Sequence, residues 1–316
     1  MHVGLFTDAF THLSLGQTLA WCDRHAIDNV ELGTGGYSPA PHADLEELSG
    51  SEAARQQLLS EIASTGVSLG ALNVSGNPLH PNPEVGRLHD AQLRSTVLLA
   101  GELGVTRVIA MSGCPGGPGD AAWPVFAGGA WLPDMEGLWD WQWSERIAPY
   151  WRELSRWAAE AAPEVRICLE LHPGTSIYNA ESFRLLREVT GDNVMVNLDP
   201  SHFWWQGMDP VRVIEDLPGW IGWSHGKDTL IKDARMAVTG CLDFRWPRDA
   251  AEMPWHFCAI GDGHPKSTWV QLVSALIGSG HDHTISIEHE DPNLTPENGV
   301  LASLHGLREA LAAMEP

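Results

Sequence analysis

The sequence predicts a single-domain α/β protein whose eight strands and eight helices alternate to form a closed (β/α)8 barrel over residues 1–316. Short apolar runs alternate with segments of helical periodicity, and no break in composition divides the chain. The number of strands also exceeds the roughly five or six of an open doubly wound sheet. The predicted strands are 2–6, 29–33, 67–73, 107–113, 166–172, 193–199, 221–227 and 284–290.

A loop and a segment of helical periodicity follow each predicted strand, which places parallel strands inside and helices outside. Two connections are too long for simple turns: residues 114–143 follow the fourth strand, and residues 229–265 follow the seventh. Both would lie at the carboxyl face of the barrel, so we expect lids or interface segments there. The predicted helices are 15–26, 53–66, 88–104, 150–162, 180–191, 209–217, 267–280 and 299–314.

The charge balance argues against several classes of partner. Lys plus Arg number 19 against 41 Asp plus Glu, and the net charge of -22 would repel nucleic acid and anionic membrane surfaces. The sequence shows no apolar run near the ~20 residues that span a bilayer and no recognisable leader, so we expect a cytoplasmic protein. The five cysteines lack C-x-x-C spacing, which argues against a zinc ribbon or a disulfide framework.

Ionisable residues cluster where the last four predicted strands end. The carboxyl ends of barrel strands converge on one mouth, and buried carboxylates there must be paired or bound to a metal ion. Two glutamates, one aspartate and one histidine form an oxygen-rich ligand set that suits Mn²⁺ or Mg²⁺. Salt bridges within the mouth are the alternative interpretation. The predicted metal ligands are Glu170, Asp199, His225 and Glu288.

Several motifs, in order along essentially the whole chain, carry a resemblance to a known family. They are "LELHPG" (169–174), "NLDPSHFWWQGMDP" (197–210), "SHGKDT" (224–229), "GDGH" (261–264) and "SIEHEDP" (286–292). Weaker likeness lies in "VELGTGGY" and "NVSGNPLHP". By these motifs the sequence resembles the sugar phosphate isomerase/epimerase group of the xylose isomerase-like TIM barrel superfamily.

The resemblance implies one divalent metal ion, usually manganese with Mg²⁺ or Co²⁺ as alternatives, held by the four predicted ligands. It also implies that Glu170 and Glu288 act as an acid/base pair on opposite faces of the sugar. His202 would contact a substrate hydroxyl. The group often has His-x-His in strand seven, whereas this chain has Trp223 at the first position, which puts one polar contact in question.

These features predict a metal-dependent isomerase or epimerase that removes the proton next to the carbonyl of a keto-sugar and passes through a metal-stabilised enediolate. A metal-dependent lyase shares this first step. It would be a keto-cyclitol dehydratase or the catalytic subunit of a 3-keto C-glycoside deglycosylating enzyme. A non-catalytic sugar-binding subunit is a further alternative. An endonuclease IV-like DNA repair enzyme shares the barrel, but the net charge of -22 opposes it.

Residues around the mouth are expected to contact the substrate. The sequence offers no evident basic nest for phosphate, so a free sugar or a glycoside fits better than a phosphorylated one. Tryptophan rings can cover the C–H faces of sugars, and Trp205 and one residue of 139–143 are the candidates. The 229–265 connection and the aromatic residues predict a homo-oligomer, with a small partner subunit for the lyase. The expected substrate-binding residues are His80, His172, His202, Trp205, Lys227 and Glu290.

Overall fold

Eight parallel strands close into a barrel in a computed structural model that describes residues 1–119, 121–129, 132–243, 249–281 and 283–314. The order around the barrel is β1-β10-β7-β6-β5-β4-β3-β2, which confirms the predicted (β/α)8 architecture. Two further strands, β8 (Asp228–Ile231) and β9 (Trp255–Cys258), form a separate small sheet. The barrel strands are β1 (His2–Phe6), β2 (Asn29–Gly33), β3 (Ser68–Asn73), β4 (Arg107–Met111), β5 (Arg166–Glu170), β6 (Val194–Leu198), β7 (Ile221–Gly226) and β10 (Thr284–Ile287).

Helices surround the barrel, and each of the eight predicted helical segments overlaps an observed α-helix. Local signals fix several ends: Ser14 forms a capping box at the start of α1, and Gly104 ends α4 with a φ of 71°. None of the helices in the described ranges is long and apolar enough to cross a membrane. The α-helices are α1 (Leu15–Arg24), α2 (Leu45–Gly50), α3 (Glu52–Ala63), α4 (Pro83–Leu103), α5 (Leu138–Gln142), α6 (Ala148–Ala161), α7 (Ala180–Arg187), α8 (Ser201–Trp204), α9 (Pro210–Asp216), α10 (Asp233–Thr239), α11 (Lys266–Gly278) and α12 (Pro296–Ala312).

The connection after β7 is more regular than the predicted long loop. Strands β8 (Asp228–Ile231) and β9 (Trp255–Cys258) pair antiparallel within it, and α10 lies between them. Threonine, isoleucine and aromatic residues favour these strands, but their pairing joins residues far apart in sequence. The connection after β4 keeps its loop character, with short 3-10 turns before α5. Residues 244–248 of the first connection and residues 120, 130 and 131 of the second lie outside the described ranges.

Within the described ranges, the hydrophobic core has two parts. The larger part fills the layer between the strands and the surrounding helices. The smaller part lies inside the barrel and consists of Ala71, Ile109, Cys168 and Trp223, with Met195 packed against it. A Cβ at Gly70 would come within 3.0 Å of the Trp223 ring, so glycine makes room for the indole. The barrel interior is therefore packed, and the space for a ligand lies above it at the carboxyl face.

Candidate metal centre

The structure brings the four predicted ligands together at the carboxyl face. One ligand atom from each of Glu170, Asp199, His225 and Glu288 lies within 4.8 Å of the other three. Glu170 is the last residue of β5, Asp199 and Glu288 directly follow β6 and β10, and His225 lies in β7. These four strands are neighbours in the barrel, so the fold itself aims the side chains at one point.

His225 is oriented by a buried glutamate that the sequence analysis missed. Its Nε2 lies 3.0 Å from Glu31 Oε1, and neither side chain is exposed to solvent. The carboxylate of Glu31 can only accept, so Nε2 carries a hydrogen. The other ring nitrogen, Nδ1, faces Glu170 at 3.3 Å and Glu288 at 3.2 Å. A carboxylate that fixes the far side of a histidine ring is typical of metal-binding histidines.

Further hydrogen bonds hold Glu31 in this position. Asn73 Nδ2 donates to its Oε1 at 2.7 Å, and Trp223 Nε1 donates to its Oε2 at 2.8 Å. Trp223 thus makes a polar contact even though it replaces the histidine that the related group often has. Asn197 Nδ2 lies 3.4 Å from Glu170 Oε2, between the carboxylate and the ring of His225.

We expect Glu31→Gln to weaken the binding of Mn²⁺ about 10- to 100-fold, the usual effect of losing an outer carboxylate partner of a ligand histidine. The amide of the new glutamine can donate a hydrogen bond to Nε2 of His225. This would favour the tautomer with its hydrogen on Nδ1, the nitrogen that faces the other ligands. Competition with a fluorescent chelator measures the change. Trp223→Phe is the matched control, since it removes one donor to Glu31 but keeps the contact with His225. Equal loss in both variants would contradict the orienting role.

Lys227 lies among the carboxylates of the mouth. Its Nζ is 3.1 Å from Asp199 Oδ2, 2.6 Å from Glu288 Oε2 and 2.8 Å from Glu290 Oε2. The ammonium also lies 4.5 Å from the centre of the Phe257 ring, which β9 contributes. Burial opposes the charge of Lys227, but the attraction to Asp199 and Glu288 holds its pKa well above the usual range. The lysine therefore neutralises part of the carboxylate cluster.

Two histidines pack together beside the ligands. His202 Nε2 lies 2.9 Å from Glu170 Oε1 and 3.3 Å from Asp199 Oδ2. Burial opposes its protonation, but attraction to Asp199 prevails and raises the pKa of His202 to about 9. His172 packs on it with ring centres 4.1 Å apart. Burial and the neighbouring His202 charge lower the pKa of His172 to about 4, so this second ring is neutral at physiological pH.

Other predicted substrate residues have different surroundings. Glu290 lines the cavity and accepts a hydrogen bond from Lys227 Nζ. His80 accepts a hydrogen bond from the backbone N–H of Asn82, and Trp205 stacks on Trp255 with ring centres 4.5 Å apart. Neither His80 nor Trp205 is among the described residues that line the cavity. The same holds for the aromatic residues of 139–143, of which Trp139 and Trp143 pack against the main core.

A cavity of about 290 Å³ opens in front of the metal centre. Glu170 and Glu288 form part of its wall, and Asp8 forms another part. Asp8 lies in a 3-10 turn that directly follows β1. Burial raises the pKa of Asp8 to about 6, although a hydrogen bond with Ser38 acts in the opposite direction. The cavity is the space in which a substrate can reach the two glutamates.

The donor set fits a hard divalent cation. Three carboxylates and one imidazole converge, and the described part of the mouth holds further carboxylates at Glu31 and Glu290 with Lys227 as a cation. Asp199 Oδ2 is buried, and its neighbours among the described residues are the ammonium of Lys227 at 3.1 Å and Nε2 of His202 at 3.3 Å, both within ion-pair distance. Oxygen donors with one imidazole favour manganese or magnesium over a thiolate-seeking ion. These residues can therefore hold a divalent cation.

Comparison with known proteins agrees with this architecture. The sequence model of the family described as xylose isomerase-like TIM barrel matches residues 19–310. The chain belongs to the xylose isomerase-like TIM barrel family. Its sequence is 36% identical over 315 residues to the uncharacterized protein YfiH of Bacillus subtilis (strain 168), covering 99% of this chain and 100% of that protein.

Several solved structures share the fold at low sequence identity. A D-tagatose 3-epimerase-like protein matches with a TM-score of 0.67 and 19% identity, covering 99% of this chain and 98% of that one. The probable 3-DHS dehydratase AsbF of Bacillus anthracis matches with a TM-score of 0.65 and 17% identity, covering 98% and 99%. The IOLI protein with a bound zinc atom matches with a TM-score of 0.65 and 18% identity, covering 100% and 99%.

Glu31 carried a signal in the sequence. Every residue of β2 is buried, and a single charged residue in such a strand needs a partner. Glu31 lies in the segment "VELGTGGY", in the middle of its strand, whereas the predicted ligands all lie at or near strand ends. The sequence pointed less clearly to Asp8, because an aspartate just after a strand is common in turns. It did not point to Phe257, which reaches the site only through the pairing of β8 with β9.

Proposed function

We propose that the protein is a divalent-metal-dependent isomerase or epimerase that acts on an unphosphorylated keto-sugar. One observation carries the proposal: ligand atoms of Glu170, Asp199, His225 and Glu288 lie within 4.8 Å of one another beside an open cavity. Manganese is the proposed ion because the donors are mostly carboxylates. The fold similarity to a D-tagatose 3-epimerase-like protein supports an isomerase or epimerase reaction.

The two glutamates differ in their freedom to move a proton. Glu288 contacts Lys227 and His225 through Oε2, and neither of these ion contacts uses its Oε1. The side chain of Glu288 is 15% exposed, whereas that of Glu170 is 4% exposed. Glu288 is therefore the base that removes the proton next to the carbonyl, through Oε1. In an epimerase Glu170 takes the proton that His202 Nε2 holds 2.9 Å away and delivers it to the other face of the carbon, while Glu288 keeps the abstracted proton.

A divalent cation in this centre would supply Lewis-acid stabilisation of the negative charge that develops on the carbonyl oxygen. Lys227 lowers the pKa of Glu288 against the opposing effect of burial, which keeps that base ionised. Phe257 covers Lys227 and excludes water from one side of the cluster. His202 holds a proton at Nε2 between Glu170 and Asp199 and fixes both carboxylates.

A lyase is the second candidate, and His172 is the observation that favours it. Its Nδ1 lies 2.6 Å from the carbonyl oxygen of Pro173, so Nδ1 carries the hydrogen and Nε2 keeps its lone pair. This neutral ring, packed on His202, offers a second base near Glu170. An elimination needs one base for the proton and one acid for the leaving group, and His172 would add a base to the two glutamates.

The test is incubation with a panel of neutral keto-sugars and keto-cyclitols in deuterated water, using protein loaded with Mn²⁺. Deuterium at a carbon next to the carbonyl is the expected result, and the product then separates isomerase, epimerase and lyase. Protein treated with EDTA is the matched control and should not exchange. Absence of exchange with every panel member, or equal exchange after EDTA treatment, would refute the proposal.

The cytoplasmic location, the homo-oligomer and the small partner subunit that the sequence predicts stay predictions.

A further inference from the structure

The wall of the cavity formed by β1, β2 and β3 carries polar atoms that the proposed chemistry does not use. Asp8 follows β1, Ser38 follows β2, and Ser75 follows β3, and all three line the cavity. Oδ1 of Asp8 and Oγ of Ser75 are buried, and among the described residues neither has a hydrogen-bond partner apart from the Ser38 hydroxyl beside Asp8. Buried polar atoms without partners cost free energy, so their presence beside a cavity points to a ligand that satisfies them.

Local structure holds the Asp8 carboxylate in place. Ser38 Oγ accepts a hydrogen bond from the backbone N–H of Ala40 at 2.9 Å, which leaves its hydroxyl hydrogen for Asp8. Gly33 at the end of β2 permits this approach. A Cβ there would come within 2.1 Å of Ser38 Oγ and 2.6 Å of Asp8 Oδ1. The sequence therefore keeps a glycine where the two polar side chains meet.

The charges of the cavity wall select against anionic substituents. Its carboxylates are Asp8, Glu170, Glu288 and Glu290, and none of the described lining residues is Lys or Arg. Lys227 is engaged by three carboxylates and is only 3% exposed. A phosphate on the substrate would meet repulsion and no cation here, whereas a hydroxyl group can donate to Asp8 and pair with Ser75.

We propose that Asp8, together with Ser75, forms a specificity-determining subsite that binds a hydroxyl group of an uncharged polyhydroxy ketone and rejects phosphorylated analogues. This inference rests on the proposed function and names its substrate class. Asp8 contacts a part of the substrate remote from the carbonyl, so it acts on KM more than on kcat.

The test uses the panel member with the fastest deuterium exchange, its phosphate ester and its deoxy analogues. Asp8→Ala should raise KM for the free ketone about 10- to 100-fold, the range for a lost hydrogen bond to a charged group, with a smaller change in kcat. One deoxy analogue should lose affinity with the wild type but not with Asp8→Ala. The wild type should prefer the free ketone over its phosphate, and Asp8→Asn should reduce that preference. Asp192→Asn, whose side chain is 97% exposed at the other end of the barrel, is the control.

Stability separates this role from a structural one. The raised pKa of Asp8, about 6 against 3.8 in the unfolded chain, means that folding stability falls as pH rises through that interval. Asp8→Asn should therefore unfold at the same or a higher temperature at pH 8. A lower unfolding temperature with unchanged KM would overturn the inference and assign Asp8 to the fold.

Failure of the two proposals gives different results. Two outcomes would refute the subsite and leave the proposed function intact. One is deuterium exchange as fast with the phosphate ester as with the free ketone, and the other is an unchanged KM for the free ketone in Asp8→Ala. Absence of exchange with the whole panel would refute the proposed function. Binding of the neutral panel members, measured by calorimetry, would then decide the subsite: weaker binding to Asp8→Ala supports it, and equal or undetectable binding overturns it.

Discussion

Glu288→Gln should reduce deuterium exchange about 10²- to 10⁴-fold, the usual contribution of a positioned general base. The amide keeps an oxygen near the metal centre but cannot accept the proton. Exchange is followed by NMR of the ketone in deuterated water, with the variant saturated with Mn²⁺. The circular dichroism spectrum and the unfolding temperature should stay close to those of the wild type.

A surface glutamate provides the control for this variant. Glu160 is exposed at the end of α6, and Glu160→Gln should exchange at the wild-type rate. Glu170→Gln should impair epimerisation, because the two glutamates serve opposite faces of the substrate. Exchange that persists in folded, metal-loaded Glu288→Gln would remove Glu288 as the base and leave Glu170 or His172 as the candidates.

Lys227→Met should lower the free energy of unfolding of the EDTA-treated protein by about 3–5 kcal/mol, because loss of one partner leaves buried charges uncompensated. The carboxylates of Asp199 and Glu288 would lose the ammonium that lies 3.1 Å and 2.6 Å away. Mn²⁺ should restore more stability to the variant than it adds to the wild type, since the ion would neutralise the same carboxylates. Urea unfolding with and without Mn²⁺ measures both effects.

Lys266→Met is the matched control for Lys227→Met. The Lys266 side chain is half exposed and its Nζ lies 3.9 Å from Glu309, so its loss should change stability by no more than about 0.5 kcal/mol. Equal destabilisation by the two substitutions would mean that the carboxylates do not depend on Lys227. No gain in stability on adding Mn²⁺ to Lys227→Met would contradict a shared role for the lysine and the ion.

The sequence predicted the barrel because the apolar period and the strand count are local properties. Strand ends were less accurate: β5 ends at Glu170 and not at residue 172, since the backbone N–H of His172 turns back to the carbonyl of Glu170. The β8–β9 pair was missed because its partners are separated by the long connection that contains α10. Long-range pairing leaves little trace in a local pattern.

The candidate site also combines residues that a local sequence pattern predicts with residues that only long-range contacts bring into place. The four ligands follow from charged residues at consecutive strand ends, which converge in any barrel. Glu31 reaches His225 across the barrel interior, a contact between residues 194 positions apart that no local pattern encodes. Trp205 was expected to cover the substrate, but its ring stacks on Trp255 from the additional sheet. Side-chain partners drawn from distant elements required the structure.

Calorimetric titration of Mn²⁺ into EDTA-treated protein tests whether Glu170, Asp199, His225 and Glu288 hold one divalent cation. We expect the wild type to bind one ion per chain and Asp199→Ala to show no measurable binding under the same conditions. Absence of binding to the wild type, or binding to Asp199→Ala with unchanged affinity, would contradict this assignment of the ligands.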